Sequence, residues 1–263
     1  MRVLITGCST GFGRCAAALL AERGHQVIAT ARRPETLSDL DVAARLALDV
    51  DDDASVRSVL ADAGPIDALV NNAGRGENGP VEKVPLEAAR AMFETNFFGA
   101  VRMIQGVLPG MRERGQGVVV NVSSVAGVTA PPLGGFYAAS KFALEGLSEA
   151  LKLEVGHFGI RVAIVEPGFF KTAFRESAHN HGMTEPPYDE LNRQWSGSDD
   201  KLVGGERPGP EAVAVAIADA IEGKDERLRI PVGTDAELVC STRAKLDDAG
   251  FEAAMRQTLK IDW

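Results

Sequence analysis

Three features of the chain predict an α/β fold built on a doubly wound parallel sheet. Short apolar runs rich in Val, Ile and Leu alternate with helical patterns over the first two thirds of the sequence. The runs lack a polar alternation, as strands covered on both faces do. A glycine-rich turn, TGCSTGFG at 6–13, joins the first apolar run to the first helical pattern. Strand, helix and strand in repetition imply crossover connections and parallel pairing.

The elements follow in order. RVLIT (2–6) precedes a helical RCAAALLAERG, and QVIATA (26–31) precedes a short PETLSDL. RLALDV (45–50) leads into the helical DDASVRSVLADAG, and DALVNNAG (67–74) into a long helical stretch from about Leu86 to Arg114. GVVVNVSS (117–124) comes before a helix that starts near Phe136 and leads into IRVAIVEPG (160–168). From Phe169 to about Pro210 the pattern dissolves into Gly, Pro, His, Asn and acidic residues. That is too long for an ordinary connection, so it reads as a lid or binding loop. The helical PEAVAVAIADAIEG, a last strand in RLRIPV and a helical tail complete the chain. No linker or repeat divides it.

The 263 residues are enough for one large α/β domain, and a net charge of −9 argues against a nucleic-acid partner, which needs a basic face. Cys8, Cys15 and Cys240 form no disulfide framework and no zinc-ligand spacing, which points to a reducing compartment. MRVLITG enters a strand without a leader, and no apolar run reaches the roughly eighteen residues of a membrane span. A cytoplasmic protein with no membrane partner is expected.

Gly7, Gly11 and Gly13 let the backbone turn tightly and approach a pyrophosphate seated on the following helix N-terminus. The spacing is GxxxGxG, not the GxGxxG of the common dinucleotide fingerprint. The second strand ends at Ala31 and is followed by Arg32 and Arg33, where an NAD site usually carries an acid. No carboxylate there repels a 2′-phosphate and two guanidiniums can pair with it, so NADP(H) is preferred, with NAD(H) as the alternative. Tyr137 and Lys141 stand four residues apart on one helix, a turn from each other. A free phenol with a pKa of about 10 holds its proton too tightly to act as a base at neutral pH. An ammonium nearby favours the phenolate, so Lys141 is expected to draw the Tyr137 pKa down. Taken alone, such a pair is an ordinary core residue beside a surface charge. Its place behind a phosphate-binding turn changes that reading.

These motifs, with DV (49–50), NNAG (71–74), the asparagine of ETNFFG (Asn96), NVSS (121–124), YAASK (137–141) and PGFFKT (167–172), stand in one order. In that set the chain resembles the short-chain dehydrogenase/reductase superfamily, over roughly residues 1 to 230. The resemblance implies one Rossmann-type domain of about seven parallel strands and nicotinamide-dependent interconversion of alcohols and carbonyls. It implies Tyr137 as acid/base, Lys141 as its partner and Asn96 as the support of a proton relay. Ser124, thirteen residues before Tyr137, takes the substrate oxygen in preference to Ser123. It places Gly7, Ser9, Gly11, Phe12 and Gly13 on the phosphates, Asp49 and Val50 at the adenine, and Asn72, Ala73 and Gly74 on the cofactor floor. Pro167, Gly168, Phe170 and Thr172 hold the nicotinamide end, while Tyr137 and Lys141 also touch the cofactor. Cys8, Phe12 and Glu166 depart from the commonest residues of these motifs.

A single domain over 1–263 is therefore expected, with a cofactor-binding and catalytic core at 1–168, a substrate lid at 169–210 and the C-terminal helices and last strand at 211–263. The substrate is expected to be a small-molecule carbonyl or alcohol of apolar character, with steroid-like, retinoid-like, acyl and small ketone substrates all open. Pro131, Pro132, Leu133 and Phe136 face it from one side, and Phe169, Phe174, Tyr188 and Trp195 from the lid. A homodimer or homotetramer joined through the two long helices is implied by the resemblance. A serine hydrolase lacks its GxSxG elbow here, and the HNH of 179–181 beside Glu176 or Glu185 reads as a polar loop and not a metal site. A non-catalytic NAD(P)-binding sensor is the alternative function, and it would be expected to lose Ser124, Tyr137 or Lys141.

Overall fold

The computed structural model describes residues 1–262, the side chains at 198 and 199 apart; Trp263, the last residue of the expected domain, lies outside the described residues. Seven strands form one parallel sheet: β1 (Arg2–Ile5), β2 (Gln26–Ala31), β3 (Ala44–Ala47), β4 (Ala68–Asn71), β5 (Gly117–Val122), β6 (Ile160–Pro167) and β7 (Arg229–Val232). Their spatial order is β3-β2-β1-β4-β5-β6-β7. Val3 pairs with Val27 on one side and Ala68 on the other, so the order reverses between β1 and β4. Such a switch point opens a crevice beyond the carboxyl ends of the strands.

Eight longer helices accompany the sheet: α1 (Gly11–Glu22), α2 (Asp53–Ala63), α3 (Leu86–Phe93), α4 (Gly99–Arg114), α5 (Gly135–Val155), α6 (Glu211–Glu222), α7 (Thr234–Lys245) and α8 (Asp248–Leu259). Successive strand residues point to opposite faces, and the two cores divide accordingly. Val3, Ile5, Val27, Val70 and Val120 pack with Ala17 and Leu20 of α1 and with Ile217 and Ile221 of α6. Leu4, Ile28, Leu69 and Val119 pack with Val59 of α2, Met103 and Val107 of α4, and Leu151 of α5. Both faces are apolar, which is why the strands read as unbroken hydrophobic runs.

The expected helical stretch from Leu86 to Arg114 is interrupted by a π-helical turn over Glu94–Phe98 that carries Asn96. π turns of this kind recur at functional sites. β3 ends at Ala47, short of the expected 50, because the chain turns away through Asp49, whose carbonyl accepts from Asp52 N at 3.2 Å. The segment read as irregular, 169–210, carries three short helices, Ala173–Ser177, Asp189–Trp195 and Ser198–Val203. Each is too short to show a hydrophobic period. A two-residue bridge pairs Glu77–Asn78 with His179–Asn180, so this segment is laced back onto the loop after β4. Among the described residues no helix is long and apolar enough to cross a membrane.

A polar ladder crosses the interior beneath the crevice. Asn71 Nδ2 of β4 donates to Asn121 Oδ1 of β5 at 2.8 Å, and Asn121 Nδ2 donates to Ser148 Oγ of α5 at 2.8 Å. Asn121 is fully buried. Its amide fixes how α5 sits over the sheet, and with α5 the side chains of the site. Asn121→Ala leaves the Asn71 amide without a protein partner. It should lower stability by about 1–3 kcal/mol, read as a lower urea midpoint with an unchanged slope.

Candidate active site

The glycine turn leaves β1 through Thr6 and Gly7. Gly7 has φ +73°, and a Cβ there would fall 2.9 Å from the Cα of Ala73, so both its conformation and its contacts require glycine. A Cβ on Gly13 would lie 2.6 Å from the Gly7 carbonyl oxygen and run into the Asn72 side chain. Asn72 is the clamp that brings these parts together. Its Nδ2 donates to the carbonyls of Thr6 (2.9 Å) and Gly7 (3.0 Å). In return, Thr6 Oγ1 accepts from the backbone N–H of Asn72 and of Ala73, each at 2.9 Å. Asn72, Ala73 and Gly74, expected on the cofactor floor, all border the large cavity, and the Asn72 side chain in addition holds the glycine turn against β4. Thr6 escaped the sequence reading because a threonine ending a strand carries no pattern of its own.

α1 begins at Gly11 with no capping hydrogen bond from the Thr10 side chain and no acid in its first turn. Its first N–H groups and the positive end of its dipole are therefore available to an anion. Ser9, Gly11 and Phe12 border a cavity of about 1430 Å³ that starts here. Phe12 packs edge-on against Phe170 at 5.5 Å between centroids, joining the glycine turn to the segment after β6. The cavity runs outward to Arg32, Asp49 and Val50. Arg32 is exposed and makes no hydrogen bond or ion pair among the described residues. Arg33 does not line the cavity. Its carbonyl accepts from Thr36 Oγ1 at 2.7 Å at the start of a short 3₁₀ turn. The structure thus parts two arginines that the sequence places together.

In the other direction the cavity reaches Ser124, Tyr137 and Lys141. Ser124 precedes a short 3₁₀ turn, and its Oγ accepts from Ala126 N at 3.1 Å. The phenol of Tyr137 is pushed up to about 12 by burial, with the neighbouring Ser124 hydroxyl pulling back. Burial pushes the Lys141 ammonium down to about 8, and the Glu145 carboxylate opposes that. Lys141 Nζ donates to the Val122 carbonyl at 2.9 Å and lies 5.9 Å from the Tyr137 ring centroid. The expected depression of the phenol pKa is therefore not what this arrangement gives: desolvation by burial raises it, and the phenol keeps its proton at neutral pH.

Asn96 is buried, and its side chain is fully engaged. Oδ1 accepts from Arg75 N at 2.8 Å, while Nδ2 donates to the Arg75 carbonyl and to Ser140 Oγ, each at 3.0 Å. Ser140 in turn donates to the Tyr137 carbonyl at 2.7 Å. Beside Lys141 lies a separate cavity of about 10 Å³ bordered by Thr6, Asn71 and Asn96. That is room for one water molecule. Asn71 Oδ1 is buried there without a hydrogen-bond partner.

Pro167 and Gly168 close β6 and turn the chain across the cavity towards Phe170 and Thr172. Gly168 is packed directly against the carboxylate of Asp235, which accepts from Phe169 N at 2.6 Å. Asp235, buried at the start of α7, is a second residue that sequence reading missed, since its partner lies 66 positions away. Thr172 stands over the glycine turn, 3.6 Å from where a Gly11 Cβ would sit. Pro131, Pro132, Leu133, Phe169, Phe174 and Trp195 line the wide part of the cavity, and Phe136 and Tyr188 do not. Phe174 faces the Tyr137 ring at 5.6 Å. Much of the remaining apolar wall comes from Val239 of α7 and from Phe251, Met255 and Leu259 of α8, none of them anticipated. The histidines of the lid segment meet neither Glu176 nor Glu185. His181 Nε2 lies 2.8 Å from Glu77 Oε2 and His179 Nδ1 3.4 Å from Glu77 Oε1, with Arg75 Nη2 at 2.6 Å on the same carboxylate. Burial pushes the Glu77 carboxyl up, and these partners, His181 first, bring it below its ordinary range.

The family model described as short chain dehydrogenase matches residues 1–182. A 3-ketodihydrosphingosine reductase of Bacteroides thetaiotaomicron is 38% identical over 264 residues, covering 97% of this chain and 96% of that protein. A crystal structure of a short-chain dehydrogenase from Streptomyces avermitilis superposes with a TM-score of 0.80 at 39% identity, over 98% of each chain. Another, from Burkholderia cenocepacia in complex with NADP, gives a TM-score of 0.77 at 26% identity, over 98% of this chain and 97% of that one. The chain thus belongs to the short-chain dehydrogenase/reductase superfamily and is an NAD(P)-dependent oxidoreductase.

Proposed function

We propose that this oxidoreductase uses NADP(H) to interconvert a ketone and a secondary alcohol on an apolar substrate, working as a reductase. The observation that carries the reading is the continuity of the cavity. One space joins the uncapped N-terminus of α1 to the hydroxyls of Ser124 and Tyr137. The open helix terminus and the close glycine packing fit a pyrophosphate. Arg32, exposed and uncommitted, fits a 2′-phosphate, with Asp49 and Val50 beside the adenine and Lys141, Phe170 and Thr172 towards the nicotinamide. When bound, the cofactor supplies a hydride to the carbonyl carbon.

The chain's own residues handle the oxygen. Ser124 Oγ holds it by a hydrogen bond that strengthens as negative charge develops. The Tyr137 O–H bond breaks and the proton passes to that oxygen, giving the alcohol and leaving a phenolate. Burial makes this phenol a poor acid when the site is at rest. The ammonium of Lys141 on the same helix favours the phenolate once it forms. A positioned proton donor is worth about 10²–10⁴-fold in rate. Asn96 fixes Ser140 and hence the Tyr137 turn, and the one-water cavity between Asn71, Asn96 and Lys141 fits a route by which a proton returns.

The size and apolar lining of the wide end, together with a 3-ketodihydrosphingosine reductase among the relatives, favour a ketone carrying a large hydrocarbon portion. A panel of short and long-chain ketones, followed by NADPH absorbance, tests the reading. Turnover should rise with chain length, and Tyr137→Phe should lower kcat by at least about 10²-fold while NADPH affinity holds. Retained turnover in that variant would contradict the mechanism. Arg32→Ala should raise KM for NADPH much more than KM for NADH, and Arg33→Ala should change both little. Equal effects of Arg32→Ala on the two cofactors would remove the 2′-phosphate assignment.

A further inference from the structure

Behind the Tyr137 end of the cavity lies a group of charges that this mechanism leaves unused. Tyr137, Lys141, Glu145 and Glu149 recur every four residues along α5 and so share one helix face. Glu145 is 4% exposed. Its Oε2 accepts from Arg229 Nε of β7 at 3.0 Å, and Arg229 Nη2 donates to the exposed Glu149 at 2.8 Å. The same Nε stands 3.7 Å from Oε1 of Glu166, which is 1% exposed in β6 just before Pro167. From α7, Cys240 Sγ approaches Glu166 Oε2 at 4.0 Å, and Asp235 is taken up by Phe169 N.

Three buried oxygens in this group, Ser123 Oγ, Glu145 Oε1 and Glu166 Oε1, lack a hydrogen-bond partner. A Cβ on Gly127 would lie 2.5 Å from Ser123 Oγ and 3.0 Å from Glu145 Oε1. The Ser123 hydroxyl is thus near enough to favour the Glu145 carboxylate, though outside good hydrogen-bond geometry. Two buried carboxyls therefore share one guanidinium, next to a buried ammonium whose pKa desolvation pushes down.

We propose that Glu145 is a positioning residue for the reaction: its carboxylate, fixed by Arg229, keeps Lys141 an ammonium inside the protein, while Glu166 is the protonated member of the acid pair. The assignment rests on the role of Lys141 given above. Glu166 suits the protonated place. It has the guanidinium only at longer range, and burial followed by the charge of Glu145 raises it to about 7. Glu145 is hydrogen-bonded to Arg229 and stands one helical turn from Lys141 on α5, and its charge opposes the effect of burial on Lys141. This gives the unusual glutamate before Pro167-Gly168 a function. It lets the second acid keep its charge.

The test reads the lysine directly. In protein carrying lysine labelled with ¹³C at the ε position, the Lys141 signal is assigned by its loss in Lys141→Met and followed against pH. Glu145→Gln should lower the Lys141 midpoint by at least about one pH unit. The high-pH limb of kcat should move to lower pH by the same interval, and Glu145→Asp should restore most of both. Glu145→Ala, which also removes the carboxylate, serves if Glu145→Gln folds poorly. A folded variant of either kind with an unmoved Lys141 midpoint overturns the proposal. If the midpoint moves but the rate profile does not, Glu145 holds the lysine's charge and it is the role of Lys141 in the rate that falls.

Discussion

The site depends on one side chain that ties the glycine turn to the floor of the crevice. Asn72 gathers the carbonyls of Thr6 and Gly7, and Thr6 returns the clamp by accepting two backbone N–H groups from the start of NNAG. This closes β1 onto β4 where the strand order reverses, and it sets the distance between the glycine turn and the floor of the crevice. Because that distance is short, Gly7 and Gly13 have no space for a side chain. Because the turn is tight, α1 starts without a cap, and its N–H groups face the cavity.

From this frame the polar parts of the site descend through the interior in connected steps. The Asn71–Asn121–Ser148 ladder sets α5 on the sheet, and Asn96 sets the first turn of α5 through Ser140. Lys141 is anchored on the Val122 carbonyl at the end of β5. The arrangement buries an ammonium and a phenol side by side. Burial acts on them in opposite directions, lowering the lysine pKa and raising the tyrosine pKa. Both are then uncharged more readily than in water, which suits a proton donor at rest and demands a counter-charge for the lysine. Glu145, one turn further along, is that charge.

Much of this was legible in the sequence, and the reasons differ by element. Strands such as 26–31 and 160–167 are recognisable because both faces of the sheet are covered, which removes polar residues from the run. The motifs locate Ser124, Tyr137 and Lys141 because their spacing along one helix and one strand end is fixed by local geometry. What the sequence does not display are contacts between distant segments. Asp235 meets Phe169, Glu77 meets His181 across 104 positions, and α8 supplies the apolar wall of the cavity. The Tyr137 pKa runs opposite to the sequence expectation for a related reason: spacing reports that a cation is near, while burial, which decides the sign, is a property of the whole fold. Arg32 and Arg33 show the same limit at smaller scale, since of these adjacent residues Arg32 borders the cavity and Arg33 does not.

The account turns on one cavity serving both the glycine turn and Tyr137, and a crystal structure with bound NADP⁺ tests that most directly. It should place the pyrophosphate on the first N–H groups of α1, the 2′-phosphate within hydrogen-bond reach of Arg32 and the nicotinamide ring beside Tyr137 and Lys141. A cofactor that leaves the α1 terminus free, or whose nicotinamide lies away from Tyr137, would contradict it.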